Sequence, residues 1–337
     1  MTPIKYYSVD LSKTQPAEKW DHVILDHLDK FPNLVQEIRS FLQPYSTMMT
    51  GIRLALFLAP KSAIFHYDEI EYFSKAIGLE FHEILVMQLI YELSSACTTG
   101  VMSTPHGPLF FRTMDWEMDF LKRLTIGLDL TRGGRPVGRV LTWVGYVGYL
   151  TAMTDSYNIA INYRRTQDLS VSSILNNLYR IITRRWPVGY LVREIIDREM
   201  SASAAKMTLQ ESQLVTPCYI TLHCKDQSID SVVITRDPQG SADVRTTDLV
   251  QCNVDHDKEE PNILYSLERR STFRRIERGI TPLDSLDEIV KPLTIFPIVN
   301  DHTIYVYYEC GDVSRSWIPA ATTQPVPTTQ PVVDRSR

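Results

Sequence analysis

A chain of 337 residues with 44% apolar side chains is long enough to bury a sizeable core. Its 40 acidic against 35 basic side chains give a net charge of −5, which excludes a general basic surface for nucleic acid. Five cysteines, odd in number and sparsely spaced, do not make a disulfide framework.

Residues 16–42 carry Trp20, Ile24, Leu28, Phe31, Leu34 and Ile38 at helical spacing, with Glu18, Asp21, Asp26 and Glu37 on the other faces. That pattern predicts an amphipathic helix interrupted near Pro32. Two more helices are predicted over 67–77 and 81–95, so the segment before Cys97 reads as almost entirely helical. Strands follow at 98–104, 108–113, 123–131, 138–144 and 157–163, then helices at about 170–186, 188–199 and 203–213. Strands return at 217–224, 231–237 and 244–251, with more near 292–297 and 302–309. Strands, helices and strands again fit two sheets covered by helices. From residue 318 the chain is rich in Thr, Pro and Val and reads as an extended or disordered tail.

Cys97 stands where the last of the early helices gives way to strand, in Ser94-Ser95-Ala96-Cys97-Thr98-Thr99. Pro105-His106-Gly107-Pro108 then breaks a strand-like run, which predicts a hairpin. With the turn centred near His106 and Gly107, Cys97 falls opposite Trp116 and Val101 opposite Arg112, so Arg112 shares a face with the Cys97 side chain. Asp115 falls beside the Cys97 backbone. A guanidinium beside a thiol favours the thiolate, and a carboxylate near a main-chain nitrogen can hold an amine. The general base of such a site is the α-amine of Cys97, released by cutting Ala96–Cys97; a free α-amine titrates near about 7.7–8.0. The competing reading is a small buried hydrophobe at the head of a core strand.

These residues resemble the acid ceramidase and N-acylethanolamine acid amidase family of N-terminal-nucleophile cysteine hydrolases. The similarity runs from about residue 5 to about 310 and rests on motifs in matching order. They are Cys97-Thr98 after a Tyr-Glu-Leu helix end, Arg112-Thr113-Met114-Asp115, Gly145-Tyr146-Val147-Gly148, Val233 to Asp237, Gln251-Cys252-Asn253-Val254-Asp255 and Glu268-Arg269-Arg270. The resemblance implies an α+β fold, a four-layer αββα sandwich with an N-terminal helical segment packed outside. It divides the chain into 1–96, released by self-cleavage, 97–317, the catalytic part, and the tail 318–337. It also implies that Cys97 is nucleophile and self-processing residue, that Asp115 orients its amine, that Arg112 polarises thiol and carbonyl, that Asn253 donates to the oxyanion, and that Arg269 supports the site. The alternative for Arg269 is a solvated face shared with Arg270, Arg274 and Arg275.

The implied activity is hydrolysis of a fatty-acyl amide, ceramide or an N-acylethanolamine, to a fatty acid and an amino alcohol, with the two pieces still associated. The alternatives are a silent lipid-binding relative that stays uncleaved, and a hydrolase of bile-acid or penicillin-type amides. Trp143, Tyr146, Tyr149 and Tyr163 are candidates to meet the lipid substrate, with core packing as the bland alternative. Two departures bear on this. Asn162-Tyr163-Arg164 stands where the family has Asn-Glu-Arg, and His223-Cys224 where it has Gly-Gly.

No cofactor or metal is expected: Cys218, Cys224, Cys252 and His256 lack zinc-ligand spacing. Arg180, Arg184, Arg185 and Arg193 are read either as a contact for anionic lipid headgroups or, in preference, as a solvated face. Family members are lysosomal, yet the first residues carry no apolar secretory segment and the chain has no Asn-x-Ser/Thr sequon. A cytoplasmic, bacterial or viral setting therefore stays open.

Overall fold

The computed structural model describes residues 2–58, 60–89, 96–116, 118–164, 180, 183–226, 228–259, 262, 265–279 and 303–319. The N-terminal segment runs β1 Thr2–Pro3, β2 Tyr6–Asp10, α1 Pro16–Leu25, α2 Phe31–Leu42, α3 Ser46–Leu58, α4 Tyr67–Ile77 and α5 Phe81–Gln88. Then come β3 Ala96–Thr104, β4 Gly107–Asp115, α6 Phe120–Leu124, β5 Thr125–Arg132, β6 Arg135–Trp143, β7 Thr151–Met153 and β8 Tyr157–Tyr163. The chain continues through α7 Val188–Asp197, α8 Ala202–Glu211, β9 Cys218–Cys224, β10 Val232–Arg236, β11 Ser241–Arg245 and β12 Val250–Gln251, and ends in α9 Ser266–Gly279, β13 Thr303–Cys310 and β14 Val313–Ile318.

Two sheets result, one of six strands in the order β1-β14-β13-β4-β3-β12 and one of eight in the order β11-β10-β9-β8-β7-β6-β5-β2. Strand alternation explains how they stack. On β4, Phe110 and Met114 point with Cys97, Tyr305 and Tyr307 into a core shared with the eight-stranded sheet. Leu109 and Phe111 point the other way, with Met102, Val306 and Tyr308, onto Phe273 of α9. Burying each such phenylalanine is worth roughly 1.5–3 kcal/mol. On the far side of the eight-stranded sheet α7 lies against β6 and β8, and α8 against β9 and β10. The layers are therefore α7 and α8, eight strands, six strands, α9: the four-layer αββα sandwich. Gly100 allows the last layer to close, since a Cβ there would lie 2.5 Å from Cζ of Phe273.

The amphipathic stretch 16–42 divides into α1 and α2, with Pro32 in the first turn of α2, where its missing N–H costs nothing. The segment before Cys97 is less purely helical than its sequence suggests. β2 adds a parallel edge strand to β5, and β1 pairs with β14, so the first ten residues touch both sheets. Strand 244–251 resolves into β11 and β12, and α3, α6, β7, α9 and β14 are elements the periodicity did not reveal. The helix expected over 170–186 falls mostly outside the described residues; the strand at 292–297 and the tail from 320 lie wholly outside them. Among the described residues no helix is long and apolar enough to cross a membrane.

Candidate active site

The β3–β4 hairpin sets the first contact. Its turn pairs Thr104 with Gly107, which places Cys97 opposite Met114, Thr99 opposite Arg112 and Ala96 opposite Asp115. The register thus differs by two residues from the expected one, because Thr104 Oγ1 accepts from His106 N–H at 3.1 Å and donates to the Gly107 carbonyl at 2.7 Å, tightening the turn one position earlier. A two-residue shift preserves the face, and Arg112 still reaches the thiol. Arg112 Nη2 lies 3.5 Å from Cys97 Sγ and 3.6 Å from Met114 Sδ.

β12 flanks β3 on its other side, with Val250 opposite Gly100 and Gln251 opposite Thr99. The chain leaving β12 therefore carries Asn253 alongside Cys97. Asn253 Oδ1 accepts the Cys97 main-chain N–H at 2.9 Å and Arg269 Nη2 at 3.0 Å, while Nδ2 donates to the Tyr163 carbonyl at 2.7 Å. From α9, Arg269 Nη1 donates to the Cys97 carbonyl at 2.6 Å and to Thr98 Oγ1 at 2.8 Å. Arg269 is buried, so it is not part of a solvated basic face. Arg270 donates to the carbonyls of Asp255 and His256 and holds that loop.

Asp115 is fully buried and accepts from Thr113 Oγ1 at 3.0 Å and Thr303 Oγ1 at 2.7 Å. Burial pushes its carboxyl up from the ordinary value, against the pull of Arg269 and the two threonine hydroxyls. It shares the outer face of β4 with Thr113, opposite the side that carries the Cys97 thiol.

Cys97, Arg112, Asn253 and Arg269 are thus joined by direct hydrogen bonds, with Asp115 held beside Ala96 by strand pairing. The aromatic candidates separate into two groups. Trp143 and Tyr146 form a buried file with Trp116 and Tyr190, centroids 5.9 Å apart for Trp116–Trp143 and 5.7 Å for Trp143–Tyr146. Tyr149 leaves it: its hydroxyl donates to Asp197 at 3.0 Å, in a buried cluster where Arg193 grips Glu69 at 2.8 Å. Arg193 is accordingly buried, not solvated or free for lipid headgroups. Tyr163 takes part through its main-chain carbonyl. Among the described residues no group of three or more His, Cys, Asp or Glu side chains is arranged to hold a metal.

Several contributors escaped the sequence reading. Asn162 Nδ2 donates to the Gln251 carbonyl at 2.9 Å and reaches the Cys97 carbonyl at 3.4 Å. Tyr305 accepts from Arg112 Nε at 3.1 Å and meets Thr151 Oγ1 at 2.9 Å; burial raises its hydroxyl and keeps it protonated. Asn162 lies within the Asn162-Tyr163-Arg164 segment and Thr151 three residues past the Gly145–Gly148 motif, whereas Tyr305 sits in a strand 193 positions from Arg112 and carries no local signal.

No protein-family model matches the chain. An uncharacterized protein of Acanthamoeba polyphaga mimivirus is 40% identical over 311 residues, 90% of this chain and 96% of its own length. The acid ceramidase of Mus musculus is 25% identical over 90% of this chain and 82% of its own length. The N-acylethanolamine-hydrolyzing acid amidase of Caenorhabditis elegans is 25% identical over 89% of this chain and 87% of its own length. A solved structure of the Caenorhabditis elegans ortholog superposes with a TM-score of 0.55 at 25% identity, covering 66% of this chain and 100% of the other. Two named relatives align along nearly the whole chain and the αββα architecture is matched in a solved one, so in sequence and in fold the chain is similar to the acid ceramidases and N-acylethanolamine acid amidases.

Proposed function

We propose that this chain is an amidase that hydrolyses fatty-acyl amides, ceramide or N-acylethanolamine, through a Cys97 freed by its own cleavage. The observation that carries the reading is the grip on Cys97: its N–H on Asn253 Oδ1 at 2.9 Å, its carbonyl on Arg269 at 2.6 Å and its sulfur 3.5 Å from Arg112. In self-cleavage Sγ attacks the Ala96 carbonyl carbon; the C–S bond forms as the C–N bond breaks, and the thiol proton ends on the Cys97 nitrogen. Water then hydrolyses the thioester, leaving an Ala96 carboxylate, a free thiol and a free α-amine. Asn253 Oδ1 is already in place to accept from that amine. In turnover the amine takes the thiol proton and passes it to the leaving nitrogen, and water releases the fatty acid.

The substrate class comes from the relatives, whose names specify ceramide and N-acylethanolamines. Trp116, Trp143 and Tyr146 offer an apolar wall for an acyl chain. One observation favours a second reading, a silent lipid-binding relative: Asn253 Nδ2, the expected oxyanion donor, is spent on the Tyr163 carbonyl. Release of Nδ2 when Ala96–Cys97 is cut reconciles it with catalysis.

Intact mass under denaturing conditions, after incubation at mildly acidic and at neutral pH, tests the proposal. Wild type splits between Ala96 and Cys97 and Cys97→Ala does not; the cut protein then releases fatty acid from ceramide or from an acyl ethanolamide, which sets the preferred headgroup. A wild type that stays whole at every pH and turns over neither amide supports the silent relative instead.

A further inference from the structure

We propose that Tyr305, supported by Thr151, is a positioning residue that aims Arg112 at the Cys97 sulfur. A guanidinium is planar and its nitrogens lie in fixed directions, so anchoring two of them sets where the third points. Arg112 Nε donates to the Tyr305 hydroxyl at 3.1 Å and Nη1 to the Ile161 carbonyl at 2.6 Å, and Nη2 is left directed at Cys97 Sγ, 3.5 Å away. The Ile161 contact is main chain and survives any substitution there. The Tyr305 contact is made by a side chain and can be removed by substitution.

Tyr305 is itself held. It is fully buried on β13, and its hydroxyl meets Thr151 Oγ1 at 2.9 Å across the space between the sheets. A tyrosine hydroxyl that accepts from Arg112 keeps its own proton for Thr151, so both demands are met at once. The relay runs from β7 of the eight-stranded sheet through β13 and β4 of the other to the head of β3. This also gives the Gly145–Thr151 segment a second task besides its aromatic rings: Thr151, which opens β7, fixes the far end of the arginine support.

The consequence rests on Cys97 being the nucleophile, while the positioning itself does not. Two measurements keep them apart. The first is the Nε–H signal of Arg112 in a nitrogen–proton correlation spectrum of the full chain at neutral pH, assigned by its loss in Arg112→Lys. In wild type the signal is protected from exchange; in Tyr305→Phe the acceptor is gone and protection collapses, and in Thr151→Val the signal persists but shifts. The second is the self-cleavage rate. Tyr305→Phe slows it roughly ten- to a hundredfold, the range expected for losing a hydrogen bond to a charged group. The same change in an Arg112→Lys background has no further effect, because an ammonium offers no Nε–H for Tyr305 to hold. Loss of protection together with this non-additivity establishes the relay.

An Nε–H signal equally protected in Tyr305→Phe overturns the proposal. So does a Tyr305→Phe penalty of the same size in both backgrounds, which would mark a packing defect. If wild type neither cleaves nor hydrolyses, the functional reading falls, and the Nε–H comparison still decides whether Tyr305 sets the direction of Arg112.

Discussion

Glu69 and Arg193 join the N-terminal segment to the rest of the chain, and removing Glu69 measures that joint. Arg193 on α7 grips Glu69 through two nitrogens, each at 2.8 Å, and Lys19 and Trp20 add bonds at 3.2 Å. The side chains of Arg193 and Glu69 are 4% and 10% exposed, so the pair is shielded from water. Breaking a buried pair by deleting one partner costs about 3–5 kcal/mol, because the other charge is left behind. Asp197 still reaches Arg193 at 3.1 Å, which places Glu69→Ala near the low end, about 3 kcal/mol. That is a large share of the roughly 5–15 kcal/mol that holds a domain together. Denaturant titration of the Cys97→Ala chain, with and without Glu69→Ala, reads the stability loss; in protein cut as proposed at Ala96–Cys97, the same substitution is expected to release the N-terminal piece on size exclusion at low concentration. The pH dependence has a defined sign. Burial alone would push the Glu69 carboxyl up, and Arg193 and Lys19 outweigh it and hold it well below the usual range. A lowered folded value means the contribution is complete above the unfolded value of about 4.3 and fades only as pH falls below it. A loss under about 1 kcal/mol at neutral pH would mean that Arg193 finds water or another anion at no cost and that the pair does not hold the joint.

Two further substitutions test the supports of the site. Arg164 Nε and Nη2 clamp both oxygens of Asp255 at 2.7 and 3.0 Å, tying the end of β8 to the loop that carries Asn253. Asp255→Asn should cost about 2–4 kcal/mol in a denaturant titration and slow self-cleavage. Burial tends to raise the Asp255 carboxyl, but Arg164, Tyr219 and Lys258 hold it well below the carboxylate range, so the difference from wild type is constant down to about pH 3.9 and shrinks in stronger acid. Gly100→Ala would set a methyl 2.5 Å from the Phe273 ring, which is fully buried against Phe111 and cannot swing aside. Overpacking of this kind costs about 1–3 kcal/mol. It should displace α9 and Arg269 with it, so thermal melting and the cleavage rate fall together; an unchanged cleavage rate would show that Arg269 does not depend on the seating of α9.

The parts of the site that were legible in the sequence are those fixed by local spacing. The distance from Cys97 to Arg112 across one turn determines which face the arginine shares, and an error of two residues in the register leaves that face unchanged where an error of one would have inverted it. Strands β3 to β6 and β8 to β10 and helices α7 and α8 were legible for the same reason, since each buries one alternating or helical face, whereas α6, β7, α9 and β14 were not. What could not be read depends on partners far along the chain. Arg193 looked like one of a basic group because its partner Glu69 is 124 positions away. β2 is only five residues long and becomes a strand by pairing with β5. Tyr305 and Thr303 acquire meaning only when β13 is set against β4, with Thr303 opposite Asp115 and Tyr305 opposite Met114.

The length of β12 ties these points together. Its ladder with β3 ends at Gln251 and Thr99, two residues short of Cys97. Beyond that point the main-chain N–H and carbonyl of Cys97 lie past the β12 ladder, and such groups are costly to bury unpaired. Side chains meet both groups: Asn253 accepts the N–H, and Arg269 and Asn162 donate to the carbonyl. A strand partner would have imposed ladder geometry on both sides of the Ala96–Cys97 bond. An amide side chain holds the nitrogen alone, and it can hold the same nitrogen as an amine after the bond is cut. On the proposed self-cleavage, extending β12 would stabilise the sheet and disable the site, and the early end of that strand would leave room for Cys97 to become a terminus without losing its place.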